Sequence, residues 1–244
     1  MKLVSAYKTD TGLKRERNED YLWVDERAGV YVVADGMGGH EAGDTASRLA
    51  AITIGEAIAG NLQAAAPAAE VKKLMADAIE AANQAVWTAS GEAGQTRRMG
   101  ATVIVAVAQL PSIYISHAGD TRAYLIRDKA LSRLTKDDSW AAQLVDSGVI
   151  SEDEAEHHRN LHFVTKAVGQ ESPVEPDFIQ STLKTGDYLL LCSDGLWNMV
   201  TDPQVLSKFK KEKGNLALLV DSLIEAANAA GGKDNITVII LKAT

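Results

Sequence analysis

The sequence predicts an α+β fold, a four-layer sandwich in which two stacked, mainly antiparallel β-sheets are flanked by helices. Three observations lead there. Strand-like and helix-like runs are segregated along the chain, which disfavours a regular parallel βαβ sheet. The run "ATVIVAVAQL" at residues 101–110 is apolar on both faces of a strand, as strands buried between two layers are. Two helical stretches follow the first hairpin directly and supply an outer layer.

The elements follow in order. "YLWVDE" (21–26) and "VYVVAD" (30–35) are separated by Arg27, Ala28 and Gly29, a spacing that suits an antiparallel hairpin. Residues 41–59 and 68–90 then turn helical, with Val71, Leu74, Met75, Ala78, Ile79, Ala82 and Val86 on one face. Residues 101–110, 112–119 and 122–127 form a meander whose loops contain Pro111 and "GDT". The polar stretch 136–176 has short helical patterns and no sustained strand, so it reads as an excursion, or flap, over the surface. "DYLLLCSDG" (187–195) returns to strand. A helix over 215–230 buries Leu216, Leu219, Val220, Leu223, Ile224 and Ala227 and stops at Gly231 and Gly232. "NITVIILKA" is the last strand.

At 244 residues, with 46% apolar and 24% charged side chains, residues 1–244 read as a single domain with one core. The net charge of -8 comes with scattered Lys and Arg, so no basic face exists for nucleic acid. The lone Cys192 excludes an internal disulfide framework, and "MKLVSAYKTD" lacks the apolar stretch of a signal peptide. No apolar run approaches a membrane span. The expectation is a soluble, cytoplasmic protein with no membrane partner, and a monomer.

Acids recur where strands stop. Asp35 precedes Gly36 after "VYVVA", Asp194 precedes Gly195 after "YLLLCS", Asp120 follows Gly119, Asp234 stands before the last strand, and Glu19 and Asp20 stand before the first hairpin. One Asp-Gly at a strand end is ordinary turn chemistry. Several converging are not. Two carboxylates about 4 Å apart repel by roughly 4 kcal/mol at an effective dielectric near 20. Three or four would exceed the stability of an ordinary domain unless cations or protons neutralise them. With oxygen donors and no Cys or His cluster, hard divalent ions, Mn2+ or Mg2+, are indicated.

The segments "RERNED" (15–20), "VVADGMGGHEAG" (32–43), "HAGDTRAYL" (117–125), "LLLCSDGLWNMV" (189–200) and "GGKDNITVII" (231–240) occur in the order and approximate spacing of a known family. Taken together, they resemble the metal-dependent serine/threonine protein phosphatases, the type 2C or PPM family, in its bacterial form. The resemblance covers essentially the whole chain. It implies that Asp35 bridges two ions with the Gly36 carbonyl beside it, that Asp194 and Asp234 are direct ligands, and that Glu19 and Asp20 hold the other ion largely through water. Asp120 resembles the ligand of a third ion. Arg15 matches the arginine that grips the substrate phosphate, for which its planar fork is suited; Arg17 reads as its solvated neighbour.

The implied reaction is hydrolysis of phosphoserine or phosphothreonine on proteins by in-line attack of a hydroxide bridging the ions, without a covalent intermediate. The implied partners are phosphorylated proteins, a bacterial Ser/Thr kinase and its substrates. Animal members carry His where Met37 stands; Met cannot donate a proton, so solvent or metal-bound water is expected to protonate the leaving group. His40 reads as a loop or helix-start residue, and His117 as a strand residue facing a neighbour. His157, His158 and His162 lie in the flap, and Asp138 stands where relatives often have His.

Other readings fail on residues. A cysteine phosphatase needs C-x5-R, but Asn198 stands six residues after Cys192, which reads as a buried strand residue. "DGMGGHEAGD" lacks the lysine of a P-loop, and kinase signatures are absent. The alternative of another class is a catalytically inactive, phosphoprotein-binding module, which should have lost ligands; Asp35, Asp194 and Asp234 are all present.

Overall fold

The computed structural model describes every residue except 39–40, 93–98, 152–153, 156–162, 172 and 213. His40, His157, His158 and His162 lie outside the described residues. Among the described residues, ten strands pair into two five-stranded sheets, and every pairing is antiparallel. One sheet has the order β2 (Asp20–Asp25), β3 (Val30–Met37), β4 (Gly100–Gln109), β5 (Ser112–Ala118) and β8 (Asp177–Thr182). In the other, the order is β1 (Leu3–Asp10), β10 (Ile236–Ala243), β9 (Tyr188–Cys192), β6 (Arg122–Arg127) and β7 (Ala130–Arg133).

Alternation along the strands makes the layers. On β3, Val30 and Val32 face α1 (Glu41–Asn61) and α2 (Ala68–Glu92), while Tyr31 and Val33 face the second sheet. On β9, Leu190 and Cys192 face outward and Leu189 and Leu191 face inward. The outer layer there is α5 (Asp202–Lys211) and α6 (Leu216–Ala229), with the short α4 (Asp194–Trp197) at the end of β9. The order of layers is therefore helices, sheet, sheet, helices, as the sequence predicts.

The expected stripe of α6 is buried in full, and Asn215 caps it by accepting the Leu218 N–H. On α2, Val71, Met75, Ala78, Ile79, Ala82 and Val86 are buried and Leu74 is partly so. Cys192 is fully buried at the end of β9. Within 136–176 the described regular structure is α3 (Trp140–Asp146), a helical turn at 154–155 and two isolated bridges, and β8 begins at Asp177.

Five elements have no counterpart in the sequence reading: β1, β7, β8 and α5 each show few apolar residues to pattern, and α4 is a single turn that begins at Asp194, which the sequence reading places in a strand. β1 mixes partly buried and exposed positions without regular alternation at a sheet edge, and α5 buries only Val205 and Phe209. β3 also continues past Asp35 to Met37, paired with β4 through Gly36↔Ala101 and Met37↔Gly100. Asp35 thus sits inside a strand, rigidly paired on both sides.

Candidate active site

At one end of the sandwich the interior turns polar. The inward face of β3 reads Tyr31, Val33, Asp35, and the same parity places Asp20 after Leu22 and Val24 on β2. On the opposite sheet it places Thr237 after Ile239 and Leu241, and Ser193 follows Leu189 and Leu191. Strand geometry therefore carries acids to the open edge of an apolar interlayer, where water is scarce and charge is expensive.

Asp35, Glu19, Asp120, Asp194 and Asp234 line one cleft of ≈ 450 Å³, together with Arg15, Gly36, Met37 and Gly38. Phe163 and Val164, from the 136–176 excursion, form part of its wall. Five segments far apart in sequence meet here. Asp194 begins α4 and accepts from Asn198 Nδ2 at 3.1 Å. Asp120 occupies the turn between β5 and β6, where its carbonyl accepts the Trp197 indole N–H at 3.0 Å.

Asp20 is placed differently. It is buried behind Asp35, its β-partner, and does not line the cleft. Its Oδ2 accepts from Ser193 Oγ and Thr237 Oγ1, each at 2.7 Å. The Asp20 carboxylate thereby ties one sheet to the other directly beneath the cleft.

The glycine after Asp35 has a steric reason. A side chain at Gly36 would collide with the Gly43 carbonyl and stand 2.6 Å from the Glu19 carbonyl, which accepts the Gly36 N–H at 3.1 Å. Gly43, in the first turn of α1, similarly leaves the space that the Glu19 carboxylate occupies.

Sequence reasoning missed Ser193, Thr237 and Asn235. Asn235 lines the cleft while its Oδ1 accepts the Glu19 N–H at 2.8 Å and its Nδ2 donates to the Thr11 and Arg17 carbonyls at 2.9 Å. One amide therefore binds the loop carrying Arg15 and Glu19 to the segment carrying Asp234. Its position beside Asp234 in "KDNIT" was the available signal.

The electrostatics are those of concentrated like charge. Burial, and then the charges of Asp20 and Asp194, push the Asp35 carboxyl well above its ordinary pKa. Burial followed by Asp120 and Asp234 does the same to Asp194. Asp120 is pushed up to about 7 by burial and by Asp137. Asp20 rises to about 6 through burial, which outweighs the hydrogen bonds from Ser193 and Thr237. The cation in contact is Arg15, whose Nη2 lies 2.6 Å from Asp234 Oδ2 on the cleft rim.

The side chains lining the cleft offer oxygen donors, its carboxylates together with Thr102 and Asn235, a set that suits a hard divalent cation. Among the described residues, the three-residue grouping with all ligand atoms within 4.8 Å lies elsewhere, at His117, Asp138 and Asp177. His117 is a buried β5 residue, as its sequence position suggests.

Residues 14–222 match the family model described as protein phosphatase 2C. The protein phosphatase PhpP of Streptococcus pneumoniae is 37% identical over 238 residues, covering 96% of this chain and 94% of that protein. The serine/threonine phosphatase of S. agalactiae superposes with a TM-score of 0.92 at 33% identity, covering 99% of this chain and all of that one. The catalytic domain of the serine/threonine protein phosphatase PstP, solved with two manganese ions, superposes with a TM-score of 0.84 at 32% identity, over 98% and 97% of the two chains. A cleft lined by acids at one end of two stacked sheets, a family match over most of the sequence and similarity along nearly all of it place the chain in one group: it belongs to the protein phosphatase 2C family of serine/threonine phosphatases.

Proposed function

We propose that residues 1–244 act as one catalytic domain that hydrolyses phosphoserine and phosphothreonine on proteins, using two divalent cations, Mn2+ or Mg2+, and accommodating a third. The observation that carries this reading is the gathering of Glu19, Asp35, Asp120, Asp194 and Asp234 around a single cleft with Arg15 on its rim. Asp35 would serve both ions, with the Gly36 carbonyl as a further ligand beside it, and Asp194 and Asp234 would complete one of them. Glu19 serves the other, backed by Asp20, and Asp120 a third. When bound, such ions supply an activated water and neutralise charge on the phosphoryl oxygens.

The chain's own residues do the rest. Arg15 binds phosphate oxygens through its fork, which is free to do so once Asp234 has another counter-charge. Ser193 and Thr237 hold Asp20, and Asp20 backs the strand position of Asp35, so the principal carboxylate is fixed before substrate arrives. Met37 lines the cleft and holds no proton to give, so the leaving alkoxide takes its proton from solvent. Phe163 and Val164 contact the substrate chain beside the phosphorylated residue.

The substrates would be proteins phosphorylated by a Ser/Thr kinase, and the kinase itself, with the enzyme acting as a cytoplasmic monomer in a signalling circuit. Two features support that setting: no helix among the described residues is long and apolar enough to cross a membrane, and the net charge is -8 without a basic face. The test is turnover of a phosphothreonine peptide with Mn2+, abolished by EDTA and by Asp35→Asn; binding of the peptide without turnover would refute the reading in favour of an inactive module.

A further inference from the structure

Three side chains converge at the base of the 136–176 excursion. His117 lies on β5, Asp138 just before α3 and Asp177 at the start of β8. The His117 imidazole is 1% exposed, and its buried Nδ1 has no hydrogen-bond partner. Nδ1 stands 3.9 Å from Asp138 Oδ2, and Nε2 stands 3.8 Å from Asp177 Oδ2. Such distances are too long for hydrogen bonds. One ligand atom from each residue nevertheless falls within 4.8 Å of the others, so rotation of the two carboxylates would bring the three toward the roughly 2.0–2.2 Å that a shared ion requires.

A cation already sits in this arrangement. Lys166 Nζ lies 2.9 Å from Asp138 Oδ1 and 3.2 Å from Asp177 Oδ2. Burial opposes its charge, but the hydrogen bond and charge of Asp138, with Asp177, hold its pKa above the ordinary lysine value. The ammonium satisfies both acids and leaves the imidazole nitrogen without a partner.

We propose that His117, Asp138 and Asp177 form a separate zinc site, which Zn2+ enters by displacing the Lys166 ammonium. A nitrogen donor among two carboxylates favours Zn2+ over Mn2+ and Mg2+, whereas the cleft offers oxygen alone. A divalent ion interacts more strongly with the two acids than a single ammonium does, and it gives the buried nitrogen a partner. Lys166 is 26% exposed, and its flexible stem lets the head group move to water.

The site adjoins the cleft. Asp138 Oδ2 accepts the Gly119 N–H at 2.9 Å, next to Asp120, and the Asp138 carbonyl accepts the Thr165 N–H at 2.8 Å, two residues from Phe163. Zinc would therefore pin both stems of the excursion to β5 and fix the cleft wall. This inference stands on the cluster alone and survives failure of the phosphatase reading.

The experiment titrates Zn2+ into the full chain saturated with Mn2+, by calorimetry and zinc-edge absorption spectroscopy. The expected result is one added zinc with imidazole nitrogen and carboxylate oxygen in its shell and no release of manganese. Lys166→Met should tighten zinc binding, and Asp177→Asn or His117→Gln should weaken it, each by at least about tenfold. Asp177, with its side chain 55% exposed, keeps the test sound if the His117 variant does not fold. Zinc affinity unchanged in Lys166→Met and Asp177→Asn, or an oxygen-only shell with manganese released, would overturn the proposal.

Discussion

Asp20 and Asp35 are direct partners across the β2–β3 ladder, and both point toward the opposite sheet. Two carboxylates on facing positions are destabilising unless each has a reason to stay. For Asp20 the reason is visible: hydroxyls of Ser193 and Thr237 on the other sheet donate to it. Thr237→Val keeps the shape and removes one donor. We expect a loss of about 1–3 kcal/mol in urea unfolding of the Mn2+-saturated protein, and an unchanged midpoint would mean that the inter-sheet tie is immaterial.

The cation-free protein should lose stability as pH rises. Asp20 and Asp120 titrate at about 6 and about 7 in the folded state, against an ordinary aspartate value near 3.8, and Asp35 and Asp194 are also raised. Folded-state pKa values above the unfolded ones give stability that is full below the unfolded value and lost as pH rises through the folded one. The melting temperature in EDTA should therefore fall between about pH 4 and pH 7, and Mn2+ should flatten the slope. A melting temperature that is flat in EDTA would show that the acids do not repel.

Arg15 and Asp234 should separate by kinetics. Arg15→Ala removes a phosphate contact and a competitor for Asp234, so KM for a phosphopeptide should rise while Mn2+ affinity holds or tightens. Asp234→Asn and Asp194→Asn should instead weaken Mn2+ binding and lower kcat. Equal effects on KM and metal affinity from all three would contradict the division of labour.

Asn235→Ala tests a residue that touches no phosphate in this account. Three hydrogen bonds are lost, to Glu19, Thr11 and Arg17, at roughly 0.5–1.5 kcal/mol each. The expected outcome is a measurable drop in stability together with weaker Mn2+ binding, because Glu19 is no longer held. Lost stability with unchanged Mn2+ affinity would leave Asn235 a purely structural clasp.

Much of this was legible in the sequence, and the reason is periodicity. The apolar stripe of α6 and the unbroken apolar runs of β3 and β4, buried on both faces, are written in residue type, and they fix the layers. The acids were legible because an Asp inside or just after an apolar strand is conspicuous. What the pattern did not reveal is partnership. Asp20 reads as a twin of Glu19 in "RNED", yet Glu19 faces the cleft and Asp20 turns beneath Asp35, a distinction set by the parity of β2. Ser193, Thr237 and Asn235 are common polar residues whose importance arises only when two sheets stack. β1 and β8 flank their sheets with mixed burial, so tertiary pairing and not local preference makes them strands.

The claim beneath all of these is that the fold gathers carboxylates into a cleft that only divalent cations can neutralise. Anomalous diffraction from crystals grown in Mn2+ tests it most directly. The account predicts two strong manganese peaks in the cleft, both in contact with Asp35 and one also with Asp194 and Asp234. A cleft without manganese, with Asp35 and Asp194 protonated and no ion beside them, would contradict it.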